Sequence, residues 1–320
     1  MVRYIVKRLL LSLVTLWLLA SIVFLMTWAL PSDPARLILG AQAPEESVAL
    51  FRNRNGLNDP FLTQYWNLIK GLFTFDFGNS WKYPQYDVWD YLRTPLAKTA
   101  KLAALALIIT TPLSIGAGLV AAKFRDRKLD RGIVLVGLAT SSIPEFATCA
   151  LLTVGLGVKL EWFQPVYSTE AEKLGLYGQL QYLMIPAITM ALAYFGYIAR
   201  MMRASTITAL DSDYARTAAM KGLSGGHVLR THVIRNAIAP TITVMSVQIG
   251  YLISGILGVE LVYNYPGFSK VLVDAATDSD LPVLQVAVII SAIVYMIATL
   301  VADLVIAWLN PRARLELGNA

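Results

Sequence analysis

The chain has 320 residues, of which 56% are hydrophobic and 15% charged, and its formal net charge is +6. A composition this apolar excludes an ordinary water-soluble globular protein and indicates an integral membrane protein. The positive charge requires no nucleic-acid partner, because the basic residues concentrate on one predicted face of the membrane.

Six apolar runs are long enough to cross a hydrocarbon layer of about 30 Å, for which a helix needs about 20 residues. They cover residues 9–30, 96–122, 132–160, 182–202, 237–258 and 284–309. Basic residues precede the first run, as in a signal peptide, but this run is longer than a signal-peptide core and lacks a clear cleavage site. We therefore interpret it as an uncleaved span.

The basic residues predict how these spans are oriented, because Lys and Arg in short loops are retained in the cytoplasm. The N-terminal tip contains Arg3, Lys7 and Arg8. Residues 123–131 contain five further basic residues, and residues 200–236 contain six. This distribution predicts a multi-pass protein with both termini in the cytoplasm.

The segment between the first two spans is predicted to lie outside the membrane. It is too polar to span, but residues 61–91 contain eleven aromatic side chains. Apolar residues at helical spacing predict a short amphipathic helix lying along the membrane surface. These residues are Phe61, Tyr65, Leu68 or Ile69, and Leu72. An interfacial aromatic belt and a docking rim for an exterior partner are both compatible with this pattern.

Three fragments imitate functional motifs without the required context. Residues 116–121, GAGLVA, fit a dinucleotide-binding pattern but lie inside an apolar run rather than between a strand and a helix. Residues 223–226, LSGG, match the signature of ABC ATPases, yet the sequence contains no Walker A loop. His227 and His232 are five residues apart and would point about 140° apart on an α-helix. We therefore predict no catalytic residue, no metal site and no cofactor bound by this chain.

Glu145 follows Pro144 near the middle of the third apolar run. A carboxylate within a membrane is energetically costly and faces the interior of the helix bundle or a hydrated path. Two interpretations remain open. Glu145 either lines a substrate path or has a structural, hydrogen-bonded role.

The loop between the fourth and fifth spans is predicted to form two short helices. Residues 211–213 can cap a helix over 214–221, which Gly222 ends, and a second helix begins near Ser224. The predicted tip consists of Ala215, Ala218, Ala219 and Met220. Such an elbow suits insertion into a groove on another protein. A basic amphipathic loop resting on lipid headgroups is the alternative.

Residues 213–240, DYARTAAMKGLSGGHVLRTHVIRNAIAP, resemble the cytoplasmic coupling loop of binding-protein-dependent ABC permeases, specifically the B-type subunit of dipeptide and oligopeptide importers. The resemblance extends to GLNDPFLTQYWNLIKGLFTFDFGNSW, SIPEF and ELVYNYPGFSKVLVDAATDSDLPVLQ elsewhere in the chain. Met220 stands where this group commonly has alanine, and the loop lacks the glutamate of the general permease motif.

The resemblance implies an all-α integral membrane fold with six transmembrane helices, the type I ABC importer transmembrane domain. It divides the chain into an N-terminal tip and first span (1–30), an exterior segment (31–95), a core (96–310) containing the coupling loop (203–236), and a cytoplasmic tail (311–320). The ATPase-coupling residues that it implies are Tyr214, Thr217, Ala218, Ala219, Lys221 and Gly222.

The implied function is that of a non-catalytic permease subunit in a bacterial plasma membrane, forming half of a path for dipeptides or oligopeptides. Its implied partners are a second, homologous permease, two ABC ATPase subunits that bind ATP and magnesium, an extracytoplasmic substrate-binding lipoprotein, and membrane lipid. The same family also imports nickel chelates, glutathione and sugars, so the substrate stays open. A self-contained channel or secondary carrier is the alternative from another class, but it usually shows internal repeats or several intramembrane charges.

Overall fold

The computed structural model describes residues 2–29, 33–254 and 257–309. Within these ranges the regular structure is helical, apart from an isolated β-bridge between Asn79 and Asp87. The helices are α1 (Val2–Trp28), α2 (Pro34–Leu39), α3 (Glu45–Arg54), α4 (Phe61–Thr74), α5 (Val88–Lys123), α6 (Lys128–Ser142), α7 (Glu145–Leu152), α8 (Leu176–Leu210), α9 (Asp213–Met220), α10 (Gly225–Val228), α11 (Ile234–Ser254), α12 (Leu257–Val262), α13 (Phe268–Thr277) and α14 (Leu281–Leu309). The predicted tail, 311–320, lies outside the described residues.

Four helices in the described ranges are long and apolar enough to cross a membrane: α1, α5, α8 and α14. A fifth span results if α6 and the helical segment Glu145–Lys159 count as one bent span. The fifth apolar run of the sequence overlaps α11, and its residues 255 and 256 lie outside the described part of the chain. The total of six spans therefore stays a prediction.

The third predicted span is bent rather than one straight helix. Its two halves meet at an angle of 101°. Ile143, the residue between α6 and Pro144, is in an extended conformation with φ −81° and ψ 128°.

 Pro144 itself, at φ −55° and ψ 137°, is outside the helical conformation. Proline has no N–H to donate to the preceding turn and disfavours a helical residue before it, so the chain bends here and restarts as α7.

The chain divides into two compact units, of which the first comprises Met1–Tyr4, Ala100–Tyr265 and Tyr295–Ala320. Most of its interior is built around α8, which packs against α6, α7 and α11. Gly137 of α6 faces Gly196 of α8 so closely that a Cβ on Gly196 would overlap the Gly137 carbonyl group. Small residues at this contact allow the two backbones to approach, as in many membrane helix pairs.

An ion pair adds to the contact between α6 and α8. Nε and a terminal nitrogen of Arg203 donate to the two carboxylate oxygens of Asp130, at 2.5 and 2.7 Å. The backbone N–H of Asp126 donates to the same carboxylate at 2.8 Å. Because Asp130 is buried and accepts three hydrogen bonds, its charge is compensated.

The second unit comprises Ile5–Thr99 and Pro266–Val294. The α4 helix confirms the helix predicted over residues 61–72, and its location along the membrane surface stays a prediction. Tyr65, Leu68, Ile69 and Leu72 belong to an apolar cluster with residues of α1 and α14. The apolar stripe of α4 therefore packs on two neighbouring helices, where its burial is favourable.

Polar contacts order the rest of this unit. Asp280, just before α14, accepts hydrogen bonds from the hydroxyl of Ser80 and from the backbone N–H of Trp81 at 3.1 Å. Arg52 donates to the carboxylate of Asp33 at 2.7 Å, and this hydrogen bond lowers the pKa of Asp33 below its usual value.

Candidate functional site

Residues 211–233, hereafter loop 211–233, contain the turn between α9 and α10. The predicted helix that ends at Gly222 is confirmed, since α9 runs from Asp213 to Met220 and Gly222 has a φ of +83°. The Gly222 N–H donates to the Ala219 carbonyl at 3.0 Å, and the Leu223 N–H donates to the Ala218 carbonyl at 3.4 Å. This pair of hydrogen bonds is the Schellman arrangement, which requires a positive φ and therefore favours glycine.

The second predicted helix start is also confirmed. The Ser224 hydroxyl accepts a hydrogen bond from the His227 N–H at 3.4 Å and caps α10. The LSGG fragment thus forms a helix start in this chain. The predicted cap of α9 is different, because the Ser212 hydroxyl donates to the Ala209 carbonyl at 2.6 Å and makes no capping hydrogen bond.

The alanines of α9 divide into a buried and an exposed set. Ala215 and Ala218 are only 3% and 7% exposed, and they pack in a cluster with Met202, Val228 and Val233. The prediction that these two alanines belong to an exposed tip is therefore wrong. They hold α9 against its own unit because their short side chains allow close packing.

The other predicted loop residues lie on the surface of this chain. Met220 is 80% exposed. The remaining exposed residues are Tyr214, Thr217, Ala219, Lys221, Gly222 and Leu223. The exposed edge therefore runs from the end of α9 across the glycine turn, while the buried alanines fix its position.

The two histidines are closer than the sequence indicated. A π-helical turn, Leu229–Val233, connects α10 to α11. Its wider winding places the His227 and His232 rings 6.5 Å apart, so the predicted separation of about 140° around a regular α-helix is wrong. Within the described residues no group of three or more metal-ligating side chains is found.

Glu145 is the first residue of α7, directly after the bend at Pro144, and it is exposed in this chain. A carboxylate at a helix N-terminus is favoured by the helix dipole. The hydroxyl of Tyr194 on α8 is close enough to interact electrostatically with two groups, Glu145 and Tyr251 of α11. Among the described residues no hydrogen bond of the Glu145 side chain is found, and both interpretations of Glu145 stay open.

Sequence reasoning missed the ion pair between Asp130 and Arg203. A signal for it was present, because both residues lie near the cytoplasmic ends predicted for neighbouring spans and carry opposite charges. The sequence does not specify how α6 and α8 are rotated about their own axes, and this rotation brings the two side chains together.

Comparison with known proteins shows the family of the chain. Residues 114–315 match the family described as binding-protein-dependent transport system inner membrane component, and residues 1–91 match the corresponding N-terminal family. The chain belongs to the binding-protein-dependent transport family. The glutathione transport system permease protein GsiC of Escherichia coli strain K12 is 33% identical over 314 residues, covering 98% of this chain and 99% of the relative. The protein of the same name from Shigella dysenteriae serotype 1 gives the same values.

Membership of the binding-protein-dependent transport family confirms the all-α type I ABC transmembrane fold. The protein is a multi-pass, inner-membrane permease component of an ABC importer, and such a component works with ATPase and substrate-binding partners. The family consists of membrane permease subunits rather than catalytic enzymes.

Proposed function

We propose that this permease forms half of a translocation path for small peptides and that its loop 211–233 receives the force generated by ATPase subunits. The exposed edge at Ala219–Gly222, fixed from beneath by buried Ala215 and Ala218, is the observation that carries the proposal. A projection that is packed against its own unit in this way can transmit a displacement to the helices beneath it.

Apolar packing and an ion pair connect the loop to the membrane helices. Ala218 packs against Met202 of α8, and Arg203, the next residue along α8, binds Asp130 of α6. A push on α9 therefore acts on α8 and α6 together. An ATPase that contacts the loop differently in its two nucleotide states would then shift the permease between inward-facing and outward-facing conformations.

The energy source in this proposal is external to the chain. The sequence contains no Walker A loop to cradle nucleotide phosphates. Two separate ATPase subunits would bind ATP and magnesium, and this chain would bind no cofactor. A second, homologous permease would complete the path, and an extracytoplasmic binding protein would deliver the substrate to a bundle whose two termini lie in the cytoplasm.

The proposed substrates are dipeptides and oligopeptides, and glutathione, itself a tripeptide, is an alternative substrate of related chemistry. The name of the GsiC relatives supports this class, and so does Glu145. An exposed carboxylate on a membrane bundle is costly against lipid, whereas lining a hydrated path relieves that cost. There it would attract the ammonium group that most peptides carry. Nickel chelates and sugars offer no such ammonium group and are the alternative cargo.

Crosslinking tests the contact with an ATPase. In a Cys149→Ala background, Ala219→Cys is expected to crosslink to an ATPase subunit in native membrane vesicles. Leu50→Cys is the control, since Leu50 is also exposed but lies on the predicted exterior segment. The assignment fails if the Ala219→Cys probe never reaches such a subunit, or if it reacts with an impermeant reagent added from outside the cell.

Uptake tests the substrate class. ATP-dependent accumulation of a labelled dipeptide or of glutathione is expected, and Glu145→Gln should raise the KM for peptides with a free amino group more than for N-acetylated peptides. Equal effects on both would contradict a path role for Glu145. Uptake that persists without ATP would favour a channel or secondary carrier instead.

A further inference from the structure

The apolar arc of α4 is wider than the surface that its neighbours cover. At about 100° per residue, Leu62, Trp66 and Phe73 lie side by side on the helix, next to the stripe of Tyr65 and Leu72. The stripe packs inside the second unit, whereas Leu62, Trp66 and Phe73 are 72%, 64% and 77% exposed. Three large apolar side chains in a row call for a partner other than water.

Contacts with α1 and α14 give the depth of α4 along those spans. The Tyr65 hydroxyl shares a hydrogen bond of 2.7 Å with Ser21. Ile69 clusters with Ala20 and Ile289. Ala20 lies eight residues before the end of α1 at Trp28, and Ile289 lies eight residues after the start of α14 at Leu281. Eight helical residues correspond to about 12 Å, so two spans independently place α4 at the same depth below their ends.

The opposite side of α4 is polar and faces an open space. Gln64 and Asn67 line a cavity of about 730 Å³ within the second unit, together with Arg54 and Asn58. The helix therefore has water-compatible residues on one side and unpartnered apolar residues on another. A helix of this pattern separates an aqueous space from an apolar one.

We propose that Leu62, Trp66 and Phe73 contact lipid acyl chains, so that α4 forms the lipid-facing wall of the cavity rather than a docking surface for a soluble protein. The two spans, of 23 and 26 residues, exceed a hydrocarbon layer about 30 Å thick by only a few ångströms at each end. A position about 12 Å inside their ends therefore lies within one leaflet, where a water-soluble partner does not reach. Lys70, exposed at the edge of the arc, can extend its ammonium group to the headgroups. In the proposed orientation of the chain, this leaflet is the outer one; the contact with lipid itself does not depend on that orientation.

Spin labels on the assembled transporter test the proposal. The complex, purified through this chain in a Cys149→Ala background and reconstituted in nanodiscs of phosphatidylethanolamine and phosphatidylglycerol, would be labelled at Leu62→Cys or Phe73→Cys. The matched control is Asn67→Cys on the cavity side of the same helix. Collisions with oxygen, which partitions into hydrocarbon, and with a water-soluble nickel chelate report the surroundings of each label.

Leu62→Cys and Phe73→Cys are expected to collide several-fold more with oxygen than with nickel, and Asn67→Cys should show the reverse order. Nickel access at positions 62 and 73 would overturn the proposal in favour of an aqueous surface. Low access to both reagents would overturn it in favour of a protein contact, such as the second permease chain. As a label-free measurement, Trp66→Phe should lose part of the fluorescence that brominated acyl chains quench, and an unchanged quenched fraction would contradict the proposal.

Discussion

At the contact between α6 and α8, glycine provides space, whereas in loop 211–233 it provides a backbone conformation. A Cβ on Gly196 would overlap the backbone of Gly137 and the hydroxyl of Ser141. A Cβ on Gly222 would meet nothing within 4 Å, but the φ of +83° strains any other residue. The first glycine therefore governs the stability of the bundle, and the second governs the shape of an exposed surface.

Mutations in the two regions should therefore affect different properties of the protein. Changes in the α6–α8 contact should reduce folded protein before any function is measured. Changes at the exposed edge of the loop should leave the membrane bundle intact and reduce transport. The following variants test that separation.

Gly196→Ala is expected to have the largest effect on stability. Overpacking of a tight contact costs about 3 kcal/mol when neither backbone can move away. Thermal unfolding of the purified protein in mild detergent measures the loss. Gly116→Ala on α5 is the matched control, because its Cβ meets nothing within 4 Å. Equal stability of the two variants would show that the close approach is not limiting.

Asp130→Asn should destabilise the same contact by roughly 2–3 kcal/mol, because it leaves the Arg203 guanidinium partly buried without its carboxylate. Asp126→Asn is the control, since the Asp126 side chain is exposed and its ion pair with Arg125 is worth little. The same unfolding assay applies. If Asp126→Asn were the more damaging change, the buried pair would not be the element that joins α6 to α8.

Gly222→Val tests the loop. A β-branched residue at a positive φ costs about 1–3 kcal/mol locally and should distort the turn. We expect normal membrane insertion and loss of most ATP-driven uptake. Gly226→Val, in open space four residues further on and without a positive φ, should retain uptake. Unchanged transport by Gly222→Val would contradict the coupling role.

Sequence predicted the parts of the loop that depend on local chemistry. The helix end at Gly222 and the helix start at Ser224 are predicted correctly, because a glycine turn and a serine cap depend on only a few neighbouring residues. Ala218 was misplaced because burial depends on Met202 and Val233, which are distant in sequence. The wide turn at Leu229–Val233 has no comparable local signal, so the closeness of the two histidines was missed.

The membrane bundle shows the same limit at larger scale. Hydropathy indicated the apolar runs, but it does not give the 101° angle between the two helices that meet at Pro144. That angle depends on packing against α8 and α12, which sequence periodicity does not encode. The contacts of α4 with α1 and α14 were likewise not predicted, since an apolar stripe does not specify what it packs against.

The smallest expected effect on stability, and the sharpest test of the comparison, comes from two positions on α9. Met220→Asp should change stability by less than about 0.5 kcal/mol, because Met220 is exposed, but should reduce substrate-stimulated ATP hydrolysis by placing a charge on the proposed contact. Ala218→Asp should instead unfold the loop, because it buries a carboxylate without a partner. Limited proteolysis at loop 211–233 distinguishes them: cleavage should increase for Ala218→Asp only. Increased cleavage in both variants would mean that the exposed edge and the buried anchor are not separable.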